Sequence, residues 1–170
     1  MAMAEVLKAI DLINTTISRF SSIFLVLLVF TLTYEVGMRY VLKNPTLWSY
    51  DMSYMLTSLF LVLSMGHVLQ RDEHVRVDLL ARYLPLRWAA ALEAFLYLVL
   101  LFPFLYVLLA VMPGHVLNSW RIGERYTAGT WLPPIYPFKT WVMVGMFLLA
   151  LQALAQFLRA LILALRGEKI

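Results

Sequence analysis

The sequence predicts an all-α integral membrane protein, a single membrane domain over residues 1–170 with four transmembrane helices. Three observations carry that prediction. The mean hydropathy is +0.79. Apolar residues make up 62% of the chain and charged residues only 14%, against about 25% charge in soluble domains, so one folded core could not absorb this much hydrocarbon. Four separate stretches reach the roughly 20 apolar residues that cross about 30 Å of hydrocarbon. Each must be helical, because in lipid the backbone hydrogen bonds have to be closed within the segment.

The first span is expected over about residues 12–40. Its centre is uncharged from Phe20 to Tyr34, with Arg19 able to snorkel at one end and Glu35 at the other. The stretch before it, MAMAEVLKAIDLINTTISRF, mixes Glu5, Lys8, Asp11 and Arg19, and no small-residue cleavage pattern follows; this reads as an uncleaved first helix rather than a signal peptide. The second span, about 49–70, is free of charge from Met52 to Gln70. The third, about 88–112, carries Glu93 near its start, and the fourth, about 137–165, carries Arg159 near its end.

The connections differ in character. In KNPTLWSY, Lys43 to Tyr50, Asn44-Pro45 marks a turn, and Trp48 and Tyr50 suit the headgroup layer. Residues 71–87 open with Arg71, Asp72, Glu73, Arg76 and Asp78. They read either as a solvated turn or as a short amphipathic piece at the interface, with Val75, Leu79 and Tyr83 sharing a face. Residues 113–136 form the longest connection; the run WLPPIYPF predicts stiff, extended backbone there.

Lysine and arginine count nine on the side holding both termini and residues 71–87, and five on the other side. That bias predicts cytoplasmic N and C termini. The net charge of +4 sits at the ends of apolar runs, which is topology information and not a nucleic-acid footprint. The chain has no cysteine, so disulfides, thiolate nucleophiles and Cys-ligated metals are excluded.

Polar residues inside the spans are few. Ser49, Ser53, Thr57 and Ser64 share a face of the second helix, suited to close packing and interhelical hydrogen bonds. Gly145, Gln152, Gln156 and Arg159 stripe the fourth helix and should face protein, from this chain or another, because such groups are expensive in lipid. Glu35 and Arg39 are spaced for an i, i+4 pair, and Glu93 is expected to pair with Arg159 between helices. A bis-histidine haem, as in the membrane anchor of a respiratory oxidoreductase, needs two ligands at one depth. His67 and His115 lie at opposite ends of their helices, His74 lies in a connection, and a lone membrane histidine is more often a packed, hydrogen-bonded one. No HExxH, GxSxG or Gly-rich phosphate loop is present, so an enzyme is not expected, and no cofactor or metal ligand set is assigned. Nor are there matched halves or mid-bilayer helix breaks such as build a self-sufficient transporter.

Three stretches together resemble the small membrane subunit, the DctQ-type or Q subunit, of tripartite ATP-independent periplasmic (TRAP) transporters. In RYVLKNPTLWSYDMSYML, Arg39, Asn44, Trp48 and Asp51 occupy the family's positions, Asp51 standing where Glu is commoner. Gly66, then His74, Val75, Val77 and Asp78, match a second motif; SWRIGERYTAGTWLPPIYPFK matches a third more loosely and is similar to the mannitol/chloroaromatic branch.

The resemblance implies a non-catalytic scaffold in a bacterial inner membrane. Its implied partners are a large, elevator-type (DctM-type) membrane subunit holding the substrate and sodium sites, a periplasmic (DctP-type) binding protein delivering a carboxylate solute, and membrane lipids. It further implies that Ser53, Thr57, Gln152, Gln156 and Arg159 face the large subunit. Trp120, Arg121 and Arg125 are implied to meet the binding protein, while Arg39, Trp48 and Asp51 order the outer turn by a charge-assisted hydrogen bond. The small subunit of a tripartite tricarboxylate transporter has the same architecture and is the alternative.

Overall fold

The computed structural model describes residues 2–71, 85–127 and 131–167. Four long helices account for nearly all of them, with no strand among the described residues: α1 (Ala2–Tyr40), α2 (Ser49–Gln70), α3 (Leu86–Ile122) and α4 (Tyr136–Arg166). Each is long and apolar enough to span a bilayer. The all-α, four-span architecture is therefore as the composition requires.

The helices are longer than the apolar runs alone suggest. α1 has 39 residues and would measure about 58 Å, nearly twice the hydrocarbon thickness. Its first turns add Leu7, 2% exposed, to the core. α3 differs most from the sequence expectation: it starts at Leu86 and runs through Pro113 to Ile122, where residues 113–136 were expected to be a connection. The connection proper is only 123–135. Proline removes one N–H bond, but abandoning the helix in an apolar medium would orphan many more backbone groups, so the helix continues. Pro103 is accommodated similarly, in the first turn after a π-helical stretch, Tyr97–Leu101, which reroutes the backbone bonds just ahead of the ring. The interfacial piece expected over 71–87, including His74 and Asp78, lies for the most part outside the described residues.

α2 packs between α1 and α4, α4 also packs on α3, and α1 touches α4. The most apolar windows of α2 and α4 are 28% and 33% buried, against 11% for α1 and 6% for α3, so α2 and α4 form the centre and α1 and α3 flank it. α1 turns one heptad seam inward: Leu7, Asn14, Ser21, Leu28 and Glu35, seven residues apart, are buried or half-buried. A seven-residue period is the signature of left-handed helix packing.

Two glycines permit the closest approaches. A Cβ on Gly145 of α4 would lie 2.5 Å from Val62 Cγ1 and 3.0 Å from the Val62 carbonyl oxygen of α2. A Cβ on Gly66 of α2 would lie 2.0 Å from Asn14 Oδ1 of α1. Gly66 is thus the floor under a buried asparagine, which gives its place in the sequence motif a packing reason. Gly145→Ala should destabilise the protein by about 1–3 kcal/mol because backbone, not only a flexible side chain, blocks the methyl group. Gly114→Ala, with nothing within 4 Å of the new atom, should be neutral or stabilising by up to about 1 kcal/mol. Thermal melts in detergent followed by circular dichroism separate the two; equal effects would contradict the contact.

Candidate functional site

Polar side chains gather at two levels of the bundle. At the end holding both termini, a continuous chain of hydrogen bonds joins three helices. Asn14 Nδ2 of α1 donates to Gln152 Oε1 of α4 at 2.9 Å, and Gln152 Nε2 donates to Asp11 Oδ1 of α1 at 2.9 Å. Asp11 accepts from Arg159 in bidentate fashion, Nη1 to Oδ1 at 3.2 Å and Nη2 to Oδ2 at 2.6 Å. Arg159 Nη1 also donates to Gln156 Oε1 at 3.1 Å, and Gln156 Nε2 donates to the carbonyls of Leu69 and Gln70 at 3.0 and 3.1 Å. Those last acceptors are the exposed carbonyl end of α2, so a glutamine from α4 completes the helix terminus.

Above this chain, Thr15 Oγ1 donates to Gln70 Oε1 at 3.0 Å, and His67 Nδ1 lies 3.3 Å from Thr15 Oγ1 and 3.1 Å from Gln70 Oε1. His67 is therefore a packed, hydrogen-bonded histidine. Further along, Ser21 and Ser64 hydroxyls meet at 2.8 Å between α1 and α2.

This geometry corrects two expectations. The partner of Arg159 is Asp11 of α1, not Glu93: α4 lays Arg159 on the first helix, an arrangement that needs a contact of sequence separation 148. The stripe Gln152, Gln156 and Arg159 also faces this chain's own α1 and α2. Gln152 is fully buried and Gln156 8% exposed, so neither offers a surface to a larger subunit. Ser53 and Thr57 are half-buried on α2, with Thr57 Oγ1 donating to the Ser53 carbonyl at 2.8 Å.

At the opposite end the short turn between α1 and α2 is organised by Glu35. Its Oε1 accepts from Arg39 Nε at 3.0 Å and Nη2 at 2.7 Å, the expected i, i+4 pair, and its Oε2 accepts from the Thr46 backbone N–H at 3.0 Å and from the Thr46 hydroxyl. The charge-assisted bond that orders the turn is therefore Glu35 to Thr46 and Arg39, where the expectation joined Arg39, Trp48 and Asp51. Trp48 instead stacks on Tyr34 at 5.9 Å, and the Asn44 backbone N–H donates to the Met38 carbonyl at 3.0 Å. Asp51, 1% exposed in the first turn of α2, has no hydrogen-bond partner on either oxygen among the described residues. The positive end of the α2 dipole is the compensation its position provides.

The 123–135 connection is a pinned hairpin. Gly123, at φ 59°, ends α3 in the left-handed region. Arg125 and Pro134 form an antiparallel bridge, with Tyr126 N–H donating to the Pro133 carbonyl at 2.8 Å and Ile135 N–H to the Glu124 carbonyl at 3.0 Å. At its base Lys139 of α4 meets Glu124 at 2.5 Å and Ser119 Oγ at 3.0 Å, and Ser119 also donates to Glu124. The Trp120 ring meets that of Tyr136 at a tilt of 53°, centroids 4.4 Å apart, and donates through Nε1 to Thr140 Oγ1 at 2.9 Å. Tyr54 of α2 stacks on Tyr126 at 6.0 Å, which ties the hairpin to the bundle. Trp120, Arg121 and Arg125 are exposed on this rim.

The reading from sequence missed Asp11, Asn14, Thr46, Ser119, Glu124 and Lys139. Asn14 carried a signal, its seven-residue spacing from Leu7 and Ser21. The others are paired across distances in sequence that periodicity does not report. Among the described residues no group of three or more histidines, cysteines or carboxylates is placed to hold a metal ion.

The Lys139 ammonium, then the Ser119 hydroxyl, hold the Glu124 carboxyl below its ordinary value of 4.5. A depressed carboxylate stabilises the fold above its unfolded pKa and loses that contribution as pH falls through its folded pKa. The base of the hairpin should therefore hold above the ordinary carboxylate range and weaken as pH falls through the lowered Glu124 pKa. A carbon-13 carboxyl titration of Glu124 should have its midpoint below 4.5, moving upward in Lys139→Gln; an unmoved midpoint would contradict the pairing.

Residues 8–163 match the family described as Tripartite ATP-independent periplasmic transporters, DctQ component. No curated protein and no solved structure matches the chain. With nearly its whole length inside that match, and with four membrane-length helices, the chain belongs to the DctQ family of TRAP transporter components.

Proposed function

We propose that this DctQ-family chain is the non-catalytic scaffold subunit of a sodium-coupled importer in a bacterial inner membrane. It braces a large DctM-type permease subunit and helps dock a DctP-type periplasmic binding protein that delivers a carboxylate solute. Solute and sodium sites fall to the large subunit, which moves as an elevator against this static partner. The reading rests chiefly on one observation: Asp11, Asn14, Gln152, Gln156 and Arg159, at the end holding both termini, bind one another and the closing carbonyls of α2, which ties α1, α2 and α4 together. A network linked in this way favours one arrangement of helices.

The pinned hairpin supports the docking part of the reading. Together with the last turn of α3 it presents Trp120, Arg121 and Arg125, residue types enriched where proteins meet, on a base held by Lys139, Glu124 and Ser119. Rim charges act mainly on the encounter rate and its salt dependence.

Reconstitution with the large subunit and binding protein tests this. Arg121→Glu and Arg125→Glu should each slow uptake and weaken binding-protein affinity, by roughly two- to tenfold at low ionic strength and less at high salt. Unchanged uptake and affinity in the double variant would refute the docking role. Solute transport by this chain alone in liposomes would refute the scaffold reading.

A further inference from the structure

α1 has two seams, and the bundle uses one. Opposite the buried heptad lies a second stripe at the same period: Leu12, Arg19, Val26 and Thr33 are seven apart and exposed, with Thr16, Ile23 and Phe30 exposed between them. Toward the outer end the stripe opens into a shallow, almost wholly apolar groove of about 520 Å³, lined by Phe30, Thr33, Gly37 and Val41 among others. A Cβ on Gly37 would meet nothing within 4 Å, so the backbone there is open to close approach.

The other flanking helix is different. From Leu92 to Phe104, the exposed side chains of α3 are all hydrocarbon: Leu92, Phe95, Leu98, Val99, Leu100 and Phe104 are typical. Such a surface is satisfied by lipid tails and shows no reason to be covered. The α1 stripe carries small and β-branched residues at a helix-packing period, which lipid does not require and a neighbouring helix does.

Arg19 adds a charge argument. Its carbonyl accepts from the Ser22 hydroxyl at 2.6 Å, but its guanidinium makes no ion pair or hydrogen bond among the described residues. It sits one turn beyond Thr15, which bonds the last residue of α2, and therefore on the hydrocarbon side of that polar layer. An arginine there either snorkels to the headgroup layer or takes an acceptor from protein, and its neighbours on the stripe, Thr16, Ile23 and Val26, supply none to its guanidinium.

From these features and from the scaffold reading above, on which the inference rests, we infer that the outer seam of α1 docks a transmembrane helix of the large membrane subunit. That helix carries an acceptor, a carboxylate or free carbonyls, at the level of Arg19. The all-hydrocarbon face of α3 is left to lipid.

A photo-reactive phenylalanine analogue placed at Val26 or Phe30 on α1, and at Val99 or Val107 on α3, tests this in membranes containing the assembled transporter. The expected result is an adduct of the small with the large subunit from both α1 positions and none from the α3 positions. Large-subunit adducts from Val99 or Val107 alone would overturn the inference, as would α1 adducts formed only with lipid or with a second copy of this chain. A wild-type small subunit that captures no large subunit from the same membranes would instead strike the scaffold reading, which keeps the two failures distinguishable.

Discussion

Where water is absent, a polar side chain must find its partner in protein, and in this structure that requirement sets the arrangement of three helices. Asn14, Gln152, Asp11, Arg159 and Gln156 form one linked series ending on the carbonyls that terminate α2. Each bond is modest, about 0.6 to 1.7 kcal/mol for helix contacts in membranes. Their geometric effect is larger than their sum suggests. Sliding α4 by one turn against α1 would break the bidentate Arg159–Asp11 contact and orphan buried Gln152 in the same movement, so the register has no neighbouring minimum of comparable energy.

The two ends of the bundle then divide the work. At one end the linked series holds α1, α2 and α4 together. At the other, Glu35 organises the α1–α2 turn, while Lys139, Glu124 and Ser119 fasten the hairpin to the start of α4. Between them the helices are mostly hydrocarbon, with hydroxyls such as the Ser21–Ser64 pair between α1 and α2. The result is a frame fastened at both ends, which is what the proposed scaffold role calls for.

Much of this was legible from residue types alone. Four spans follow from hydropathy and length, and the Glu35–Arg39 pair follows from helical spacing. The lipid-averse character of Gln152, Gln156 and Arg159 was also readable, but the identity of what covers them was not. A stripe states that a face needs a neighbour, and only the packing of α4 against α1 and α2 says that the neighbours are Asp11, Asn14 and the closing carbonyls of α2 in the same chain. Proline misled in the third helix, because its turn-forming habit in water does not carry over to a medium where leaving the helix orphans backbone groups. The motif residues fared unevenly for the same reason: Gly66 acquires a role through the asparagine above it, while Arg39 finds Glu35 rather than Asp51, since the nearer carboxylate on its own helix is already aligned.

The central claim is that the buried polar series orders the chain before any partner arrives. Electron–electron resonance distances between spin labels at Lys8 on α1 and Leu165 on α4, both exposed, test it most directly in nanodiscs. The account predicts one narrow distance distribution for the isolated chain, unchanged when the large membrane subunit is added and broadened by Asp11→Leu. A broad distribution that narrows only on adding the large subunit would contradict it.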